Sequence, residues 1–381
     1  MVSWAITGAA LHWSREKKIT ADELADAVLP TVHAALRAGD RQNFMKAIGY
    51  YTTGAVDVLV DIDLPKPIPG PTDLLIEVRA ISVNPVDAKI RAGSGPESPG
   101  GDAKVLGWDA AGVVVALGIE TTRFALGDEV YYAGALNRAG CDAEFHLVDE
   151  RIVGRKPARI GFAEAAALPL TTLTAWEMLF DRLRIRIDKP AKAGSILVIG
   201  GAGGVGSIAI QLARCLTGLT VIATASRPAT QSWSLEMGAH HVVDHRRPIA
   251  EQVKAIVPEG VNYVLALTRT EDHFDEIVEA LAPQGGLVLI ENPARPLDIV
   301  KLKPKSISLH WEFVFTRTRY ETGDMGEQGQ VLNEVARLVD AGLIRTTMNT
   351  NLGLINASNL RRAHTIAESG TAIGKVVLSG F

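Results

Sequence analysis

The sequence predicts an α/β protein, in which a β-rich part is followed by a doubly wound part built on a parallel sheet. The first observation is a series of short apolar runs, separated by glycine and proline, between residues 45 and 150. The second is a change after about residue 165, where apolar runs alternate with helical stretches. The third is a glycine-rich turn at the first of these alternations. Together these observations indicate two kinds of sheet.

The composition is that of a globular chain and excludes several classes of protein. The chain has 381 residues, of which 47% are hydrophobic and 22% are charged, so it can bury a sizeable core. A net charge of -4 gives no general attraction to nucleic acid or to an anionic membrane, and no apolar run approaches the roughly 20 residues that cross a bilayer. The two cysteines, Cys141 and Cys215, argue against a disulfide framework and favour a reducing, cytoplasmic location.

The first part of the chain changes character near Met45. Residues 1–44 have the capping residues and apolar spacing of helices, with a start at Thr20. A first strand is predicted from Met45, and further β-like runs follow with turns between them. These runs are Val56–Ile62, Leu74–Ile81, Gly112–Leu117, Glu129–Tyr132 and Ala143–Val148. Short strands at this spacing favour a small antiparallel barrel or sandwich.

The second part alternates strands with helices. The predicted strands, with helical stretches between them, are Ile196–Ile199, Thr220–Ala225, His241–Val243, Val261–Leu267 and Leu287–Ile290. This βαβ alternation is typical of a parallel sheet with helices on both faces. A helical stretch is also predicted at Leu297–Leu302, an amphipathic helix at 331–339, and a last strand at Lys375–Leu378.

A glycine-rich turn joins the first of these strands to its helix. Gly201, Gly203 and Gly206 fit the pattern G-x-G-x-x-G, with Gly204 and Val205 between them. The first glycine allows the tight turn, the second lets the backbone approach a pyrophosphate, and the third lets helix and strand pack closely. The N–H groups at the start of the helix also favour phosphate, so these five residues are predicted to bind a dinucleotide.

The end of the second strand predicts which dinucleotide binds. An NAD site would place Asp or Glu there to hold the ribose 2′-hydroxyl, but this strand ends in Ser226 and Arg227. A hydroxyl and a fixed cation suit a 2′-phosphate, which favours NADPH. His245, Arg246 and Arg247 follow the third strand and would add positive charge. The alternative is that all of these cations are ordinary solvated side chains.

Several motifs occur in an order that resembles a known family. They are Asn84-Pro-Val-Asp87, Gly107-Trp-Asp109, Gly127-Asp128-Glu-Val130, the segment 167–177 and Gly374-Lys-Val-Val377. Residues 45–381 resemble the medium-chain dehydrogenase/reductase superfamily, in particular the quinone oxidoreductases and the zinc-type alcohol dehydrogenase-like proteins. The resemblance implies a GroES-like catalytic domain over residues 45–168 and 313–381 and a Rossmann domain for NADPH over 169–312. Residues 1–44 lie outside it.

The resemblance also bears on a catalytic zinc. It places a ligand Cys of the zinc alcohol dehydrogenases where this chain has Asn84, a ligand His at Trp108, and a second ligand Cys near Leu168 or Pro169. An amide, an indole and aliphatic groups cannot assemble the nitrogen and sulfur ligands of such a site. We therefore expect no zinc and no other metal, in spite of the family's label.

Without a Lewis acid, the chemistry that fits is hydride transfer from NADPH to an electron-poor acceptor, a quinone or an α,β-unsaturated carbonyl. The resemblance places Asn84 beside the nicotinamide, where its amide would donate a hydrogen bond to the developing oxyanion. The alternative is that Asn84 only fixes the turn before Pro85. Lys89 stands where the resemblance implies tyrosine, which leaves Lys89, Tyr131, Tyr132 or water as the proton donor.

Further side chains have both a functional and a structural interpretation. Thr171 and Thr174 resemble the family's nicotinamide-contacting segment, although a hydroxyl that caps the helix is an equally good interpretation. Asp87 and Arg91 are expected to form an ion pair that stiffens their loop. Arg317 could reach the phosphates or the substrate, or it could be solvated at the surface.

Three functions stay open at this point. The leading one is an NADPH-dependent quinone or enone reductase acting on a small molecule, and a homodimer is compatible with it. The second is a 2-enoyl-thioester reductase, although no basic cluster suited to coenzyme A is evident. The third is a non-catalytic NADPH-binding protein, either a sensor or a crystallin-like protein.

The helical extension, residues 1–44, is expected to be a passive accretion or, alternatively, a docking element for a partner.

Overall fold

The structure, a computed structural model, describes residues 43–94, 102–188 and 194–381. The described residues of 47–62 and 67–381 form one compact unit. Residues 43–46 and 63–66 belong to a second, small unit, in which the Lys66 N–H donates to the Asn43 carbonyl (2.8 Å). The helices predicted before residue 43 lie outside the described residues. Within the described ranges, no helix is long and apolar enough to cross a membrane.

The strands of the described chain are numbered in chain order. They are β1 (Phe44–Tyr50), β2 (Val60–Pro65), β3 (Asp73–Val83), β4 (Lys104–Val105), β5 (Ala110–Leu117), β6 (Glu129–Tyr132), β7 (Phe145–Asp149), β8 (Val153–Arg155), β9 (Ser195–Ile199), β10 (Thr220–Thr224), β11 (His241–Val243), β12 (Val261–Ala266), β13 (Leu281–Leu289), β14 (Ser308–Trp311), β15 (Met348–Asn351) and β16 (Lys375–Ser379).

The helices are numbered in the same way. They are α1 (Pro85–Lys89), α2 (Phe162–Ala166), α3 (Pro169–Trp176), α4 (Gly204–Leu216), α5 (Pro228–Glu236), α6 (Ile249–Ile256), α7 (Thr270–Ala280), α8 (Thr316–Arg319), α9 (Glu327–Asp340) and α10 (Ala357–Glu368). Short 3₁₀ segments lie at Val56–Val58, Glu150–Ile152 and Ile299–Lys305, and wider π-type turns at Ile90–Ser94 and Glu177–Arg182.

A mostly antiparallel sheet carries the first part of the chain. Its strands lie in the order β15-β16-β3-β5-β6-β8, and β7 pairs with β3 outside this path. Most side chains of β3 are buried, which suits a strand with neighbours on both edges. β16 pairs with β3 through Val376 and Val83, so the end of the chain completes this sheet. A smaller sheet has the order β2-β1-β4. The prediction of a β-rich part is confirmed.

A parallel sheet carries the alternating part, in the order β11-β10-β9-β12-β13-β14. The chain runs from β9 through β10 to β11 at one side of the sheet. It then returns to β12, next to β9, and continues through β13 to β14 at the other side. Ligands of such sheets bind at the carboxyl ends of the strands, where the direction changes. The predicted doubly wound sheet is confirmed. The domain boundaries at residues 168/169 and 312/313 stay a prediction.

One strand of the parallel sheet was not predicted. β14 lies at the edge of the sheet, and none of its four side chains is buried. A strand without a buried face has no apolar alternation to detect. The helical stretch predicted at Leu297–Leu302 is a 3₁₀ segment over Ile299–Lys305, which contains Pro304.

Candidate active site

The glycine-rich turn lies at the change of direction, between β9 and α4. Gly200 has a φ of +83°, which favours glycine, and Gly203 is the N-cap of α4. A Cβ on Gly206 would lie 2.4 Å from the Gly200 carbonyl oxygen, and a Cβ on Gly201 would lie 2.7 Å from the Ala223 Cβ. Gly201 and Gly206 are therefore required by the close packing of strand and helix.

Gly203 differs from these glycines because it has room for a side chain. A Cβ on Gly203 would meet only the Gly200 carbonyl oxygen within 4 Å, at an ordinary contact distance of 3.5 Å. Its φ of -74° is accessible to any residue. Nothing in the described protein demands glycine here, and the remaining physical reason is the close approach of a ligand to the backbone. With the half-buried Val205 at the start of α4, the turn fits a dinucleotide pyrophosphate.

Ser226 and Arg227 follow β10 at the same edge of the sheet. Arg227 is exposed and donates to the Thr371 carbonyl (2.8 Å), and no carboxylate pairs with it in the described part of the chain. Arg246, by contrast, pairs with Asp244 (2.8 Å) and donates to the Ser226 carbonyl (2.9 Å). Hydrogen bonds from Arg246 lower the pKa of Asp244 to about 2. The charge of Arg227 therefore remains available to an anionic ligand.

His245 lies at this edge in a different environment. Its ring contacts that of His273 on α7, with 6.0 Å between the ring centroids. Burial lowers the pKa of both imidazoles, and the Arg269 guanidinium lowers both further. Arg269 is exposed and left-handed (φ +47°) at the N-cap of α7, in the short loop between β12 and α7. Sequence reasoning missed Arg269, because a left-handed conformation outside glycine leaves no trace in the sequence. Arg247 is exposed.

A buried polar network joins distant parts of the chain. It consists of Asn84, Asp109 and Lys375, each at most 4% exposed, and is called the Lys375 network. Lys375 Nζ donates to the Val83 carbonyl (2.8 Å) and to Asn84 Oδ1, and it lies 3.2 Å from Asp109 Oδ2. Asp109 also accepts from Asn84 Nδ2 and from the Leu170 N–H at the start of α3, both at 2.8 Å. Burial raises the pKa of Asp109, and the Lys375 ammonium opposes that shift.

Asn84, the predicted oxyanion donor, is thus engaged on both sides of its amide. Its oxygen accepts from Lys375 and its nitrogen donates to Asp109. Among the described residues, the second N–H of this amide has only the Ser82 carbonyl as a partner, at 3.5 Å. The Asn84 backbone N–H donates to Asp87 Oδ2 (2.5 Å), which caps α1. The backbone of Asn84 therefore fixes the turn before Pro85, as the alternative interpretation expected. A catalytic role of the Asn84 side chain stays a prediction.

Asp87 and Arg91 do not form the expected ion pair. Burial raises the pKa of Asp87 to about 7, although the hydrogen bond from the Asn84 N–H opposes the shift. Arg91 is buried and pairs with Glu368 of α10 (2.5 Å), and its Nη1 lies 3.1 Å from His364 Nδ1. The expectation was wrong because α10 supplies the partner of Arg91 from the far end of the sequence.

The two tyrosines considered as proton donors are fully buried. The Tyr131 hydroxyl donates to the Leu332 carbonyl (2.5 Å). The Tyr132 hydroxyl lies 3.1 Å from His146 Nδ1, and Nε2 of the same ring lies 2.9 Å from the Ala139 carbonyl, so the hydroxyl is the donor to Nδ1. Burial raises the pKa of both tyrosines. Both hydroxyls thus donate to partners inside the protein, which leaves neither tyrosine free to donate a proton to an acceptor.

Lys89 is the candidate proton donor that reaches solvent. Its side chain is 53% exposed, and Nζ lies 3.5 Å from Glu291 Oε1. Lys89 ends α1, beside the antiparallel sheet, whereas Glu291 follows β13 at the carboxyl edge of the parallel sheet. An exposed pair of this kind contributes at most about 1 kcal/mol, so Lys89 can exchange its partner for a ligand.

Thr171 and Thr174 are buried on α3. Their hydroxyls donate to carbonyls of the preceding turn, at 3.2 Å and 2.8 Å, so both are bonded within their own helix. A Cβ on Gly204 would lie 3.1 Å from Thr171 Cγ2 and 2.8 Å from Lys375 Cδ. Thr171 and Lys375 therefore border the glycine-rich turn, and the predicted contact of both threonines with nicotinamide stays a prediction.

Arg317 occupies neither of its expected positions. Its side chain is 11% exposed and pairs with Glu177 (2.7 Å), Asp181 (3.0 Å) and Asp324 (3.0 Å). Three carboxylates from two other segments enclose the guanidinium, which leaves it neither solvated nor directed at a phosphate. Asp324 is close in the sequence, but Asp181 lies 136 positions before Arg317 and Glu177 lies farther away, so the sequence around Arg317 gives no sign of these two partners.

The same cluster buries a second glutamate. Glu312 accepts from Arg182 Nε (2.8 Å), and Arg182 also lies 3.8 Å from Glu177. Burial and, after it, the negative charge of Glu177 raise the pKa of Glu312 to about 8, although the Arg182 guanidinium opposes the shift. Folding therefore places Glu312 where its neutral form is favoured.

We predict that Glu312→Gln makes the protein more stable than the wild type at alkaline pH. The folded-state pKa of Glu312 lies above its ordinary value of 4.5, so its contribution to stability is present below pH 4.5 and is lost as the pH rises through about 8. Glutamine loses no proton, and the variant should melt about 2–4 °C above the wild type at pH 9, a difference of about 1 kcal/mol. Calorimetry should show the gap closing towards pH 5. An equal difference in melting temperature at pH 5 and pH 9 would contradict the prediction. The control is Glu259→Gln, at an exposed position.

The positions of the zinc ligands hold no ligand set. Trp108 is buried and its indole N–H donates to the Ala135 carbonyl (3.1 Å). Leu168 and Pro169 are buried and apolar, and the Asn84 oxygen faces an ammonium. Among the described residues, no group of three His, Cys, Asp or Glu is placed to hold a metal ion. The donors present therefore do not fit zinc.

Two family profiles match the chain. The profile described as the alcohol dehydrogenase GroES-like domain matches residues 70–177, and the profile described as zinc-binding dehydrogenase matches residues 237–378. The first match falls on strands of the antiparallel sheet, and the second runs from the parallel sheet into the last strand.

Curated relatives match over most of their length. The chain is 39% identical over 315 residues to a zinc-type alcohol dehydrogenase-like protein of Staphylococcus aureus (strain COL), which covers 82% of this chain and 92% of the relative. It is 30% identical to a quinone oxidoreductase of Lama guanicoe, with 88% of this chain and 98% of the relative covered.

Solved structures have the same fold. A protein of Rhizobium etli CFN 42, provisionally named a zinc-dependent alcohol dehydrogenase, has a TM-score of 0.85 and 54% identity over 89% of this chain and 98% of its own. The mycobacterial protein Rv1454c, solved in complex with NADPH, has a TM-score of 0.76 and 30% identity over 88% of this chain and 99% of its own. The two sheets are thus those of a GroES-like and a Rossmann-type fold. The chain belongs to the medium-chain dehydrogenase/reductase superfamily of oxidoreductases, which bind nicotinamide cofactors.

Proposed function

We propose that the protein is an NADPH-dependent reductase that transfers a hydride to a quinone or an α,β-unsaturated carbonyl without zinc. The observation that carries the proposal is the Lys375 network. Where the zinc alcohol dehydrogenases have their first metal ligand, this chain has an amide held between an ammonium and a carboxylate. A resident cation at this place opposes the binding of a divalent metal. The similarity to a quinone oxidoreductase over nearly all of that protein supports the acceptor class.

The proposed cofactor residues are those of the parallel sheet's carboxyl edge. Gly203 leaves backbone accessible to a pyrophosphate, and the start of α4 adds free N–H groups. Arg227 would bind the 2′-phosphate, because Arg246 already neutralises Asp244. His245 and Ser226 lie at the same edge. When bound, NADPH supplies the hydride.

Two side chains are proposed to act on the acceptor. The second N–H of Asn84, which has only a long contact with Ser82, would donate to the oxyanion that forms as the acceptor takes the hydride. The Lys89 ammonium, loosely paired with Glu291, would supply the proton that completes the two-electron reduction. The reaction then balances, with one hydride from the cofactor and one proton from Lys89 or from solvent through it.

A screen of NADPH consumption tests the proposal. Simple quinones, enones, 2-enoyl thioesters and, in the reverse direction, alcohols with NADP⁺ would be compared, with the products identified. We expect consumption with quinones or enones. Turnover of enoyl thioesters alone would replace the proposed acceptor by the second candidate. Tight NADPH binding without any turnover would indicate the non-catalytic protein, and preferential alcohol oxidation would contradict the proposal.

The open position of Gly203 gives a matched pair of variants. Gly203→Ala should keep the melting temperature within about 3 °C, because a methyl group there meets only one atom, at 3.5 Å. It should weaken NADPH binding by about tenfold or more, equivalent to about 1.4 kcal/mol. Gly206→Ala should instead destabilise the fold, because its Cβ would lie 2.4 Å from a backbone oxygen. Calorimetry and NADPH titration measure both effects. A Gly203→Ala variant with unchanged affinity would remove the evidence for the phosphate site.

A further inference from the structure

Lys375 is the member of its network whose purpose the proposed function leaves open. It enters from β16, 291 positions after Asn84 in the chain, and its side chain is 4% exposed. A buried ammonium is costly unless each of its protons is bonded. Its three protons match three acceptors, which are the Val83 carbonyl, Asn84 Oδ1 and Asp109 Oδ2. Each proton of the Lys375 ammonium therefore has an acceptor inside the protein.

These neighbours determine the orientation of the Asn84 amide. An ammonium can only donate, so the Asn84 oxygen must face Lys375. An ionised carboxylate can only accept, so the Asn84 nitrogen must face Asp109. An amide between these two groups cannot turn over without losing both bonds. Because of this orientation, the group of the Asn84 side chain that faces the Ser82 carbonyl, in a long contact, is an N–H and not the amide oxygen.

Lys375 is also connected to the glycine-rich turn. A Cβ on Gly204 would lie 2.8 Å from Lys375 Cδ, so the stem of the lysine packs directly against the start of α4. The N–H of the preceding residue, Gly374, donates to the Ala202 carbonyl in the turn (2.8 Å). The start of β16 thus holds the turn by its backbone, and the side chain of its first residue reaches from the turn to Asn84.

We infer that Lys375 is a positioning residue, whose ammonium sets the orientation of the Asn84 amide and whose stem holds that amide in register with the glycine-rich turn. It acts through Asn84. Its expected effect on turnover rests on the proposed function, whereas its effect on the surroundings of bound NADPH does not.

Variants that remove charge singly and in pairs test this inference. Lys375→Met alone leaves Asp109 buried without its cation, and its melting temperature should fall by about 5 °C or more. The double variant Lys375→Met/Asp109→Asn removes both charges, and its melting temperature should return to within about 3 °C of the wild type. In it, the new amide at position 109 can donate to the Asn84 oxygen, which turns the Asn84 amide over. The exposed Lys303→Met is the control.

Two readouts on the double variant decide the matter. Turnover should fall by about ten- to a hundredfold while the Kd for NADPH stays within about threefold. The fluorescence emission of bound NADPH, which needs no acceptor, should shift in the double variant and stay unchanged in Lys303→Met. Unchanged turnover with unchanged emission would overturn the inference. So would a double variant as unstable as Lys375→Met, because Asp109 would then not be the charge partner.

The same readouts separate this inference from the proposed function. If the wild type consumes no NADPH with any acceptor, the proposed function fails, and the emission comparison decides the inference alone. A shifted emission then supports the positioning role of Lys375, and an identical emission overturns it.

Discussion

Asn84→Ala is expected to lower turnover by about ten- to a thousandfold, the range for the loss of one donor to a developing oxyanion. Asn84 is 1% exposed, and its Nδ2 lies 3.5 Å from the Ser82 carbonyl. The N–H with this long contact is the donor that an acceptor would lose. The Kd for NADPH should change by less than about threefold, because the glycine-rich turn and Arg227 are untouched. Steady-state kinetics and an NADPH titration separate the two effects.

The alanine variant should remain folded. The hydrogen bond that caps α1 uses the backbone N–H of Asn84, and Lys375 keeps its contacts with Val83 and Asp109. A thermal melt checks this, and Asn351→Ala, at an exposed position on β15, is the matched control. Unchanged turnover in a folded Asn84→Ala variant would leave Asn84 with a structural role alone.

Arg227→Ala should weaken NADPH binding by about 10- to 150-fold and leave NADH binding nearly unchanged. The loss corresponds to about 1.5–3 kcal/mol for a hydrogen bond to a charged group. The selectivity follows from the charges at this edge, where Arg246 neutralises Asp244, whereas the Arg227 guanidinium donates to the Thr371 carbonyl and pairs with no carboxylate of the described residues. Kd values for the two cofactors, measured by titration at one ionic strength, give the comparison.

A distant arginine provides the control for this variant. Arg362 is exposed on α10 and donates to Asn359 (3.1 Å), so Arg362→Ala removes the same charge away from the parallel sheet. It should affect neither cofactor. Equal losses of NADPH and NADH affinity in Arg227→Ala would show that the arginine holds a part common to both, and the assignment of the 2′-phosphate would fail.

The features that sequence reasoning identified are local ones. The glycine-rich turn, the strand before it and the helix after it lie within some twenty residues, and their pattern reflects backbone geometry that each short segment must adopt. The end of β10 is local in the same sense, so the absence of a carboxylate at Ser226 and Arg227 could be noticed without a structure. The alternation of strands and helices also predicted the doubly wound sheet.

The features that it missed depend on contacts between distant segments. Asp87 and Arg91 are four residues apart and looked like a pair, but Arg91 binds Glu368, 277 positions away. Lys375 was noticed only as part of a strand and a family motif, because its partner Asn84 is nearly the whole chain away. Tyr132 looked like a proton donor by its residue type, and only the fold shows that its hydroxyl is bonded to His146.

The decisive measurement is the rate of NADPH oxidation by a simple quinone, made on protein of known zinc content before and after treatment with a chelator. We predict quinone-dependent oxidation at the same rate in both samples and less than one zinc per chain, because an amide, an indole and a leucine stand at the ligand positions and Lys375 already supplies a cation there. One tightly bound zinc per chain, lost together with the activity, would contradict the proposed function.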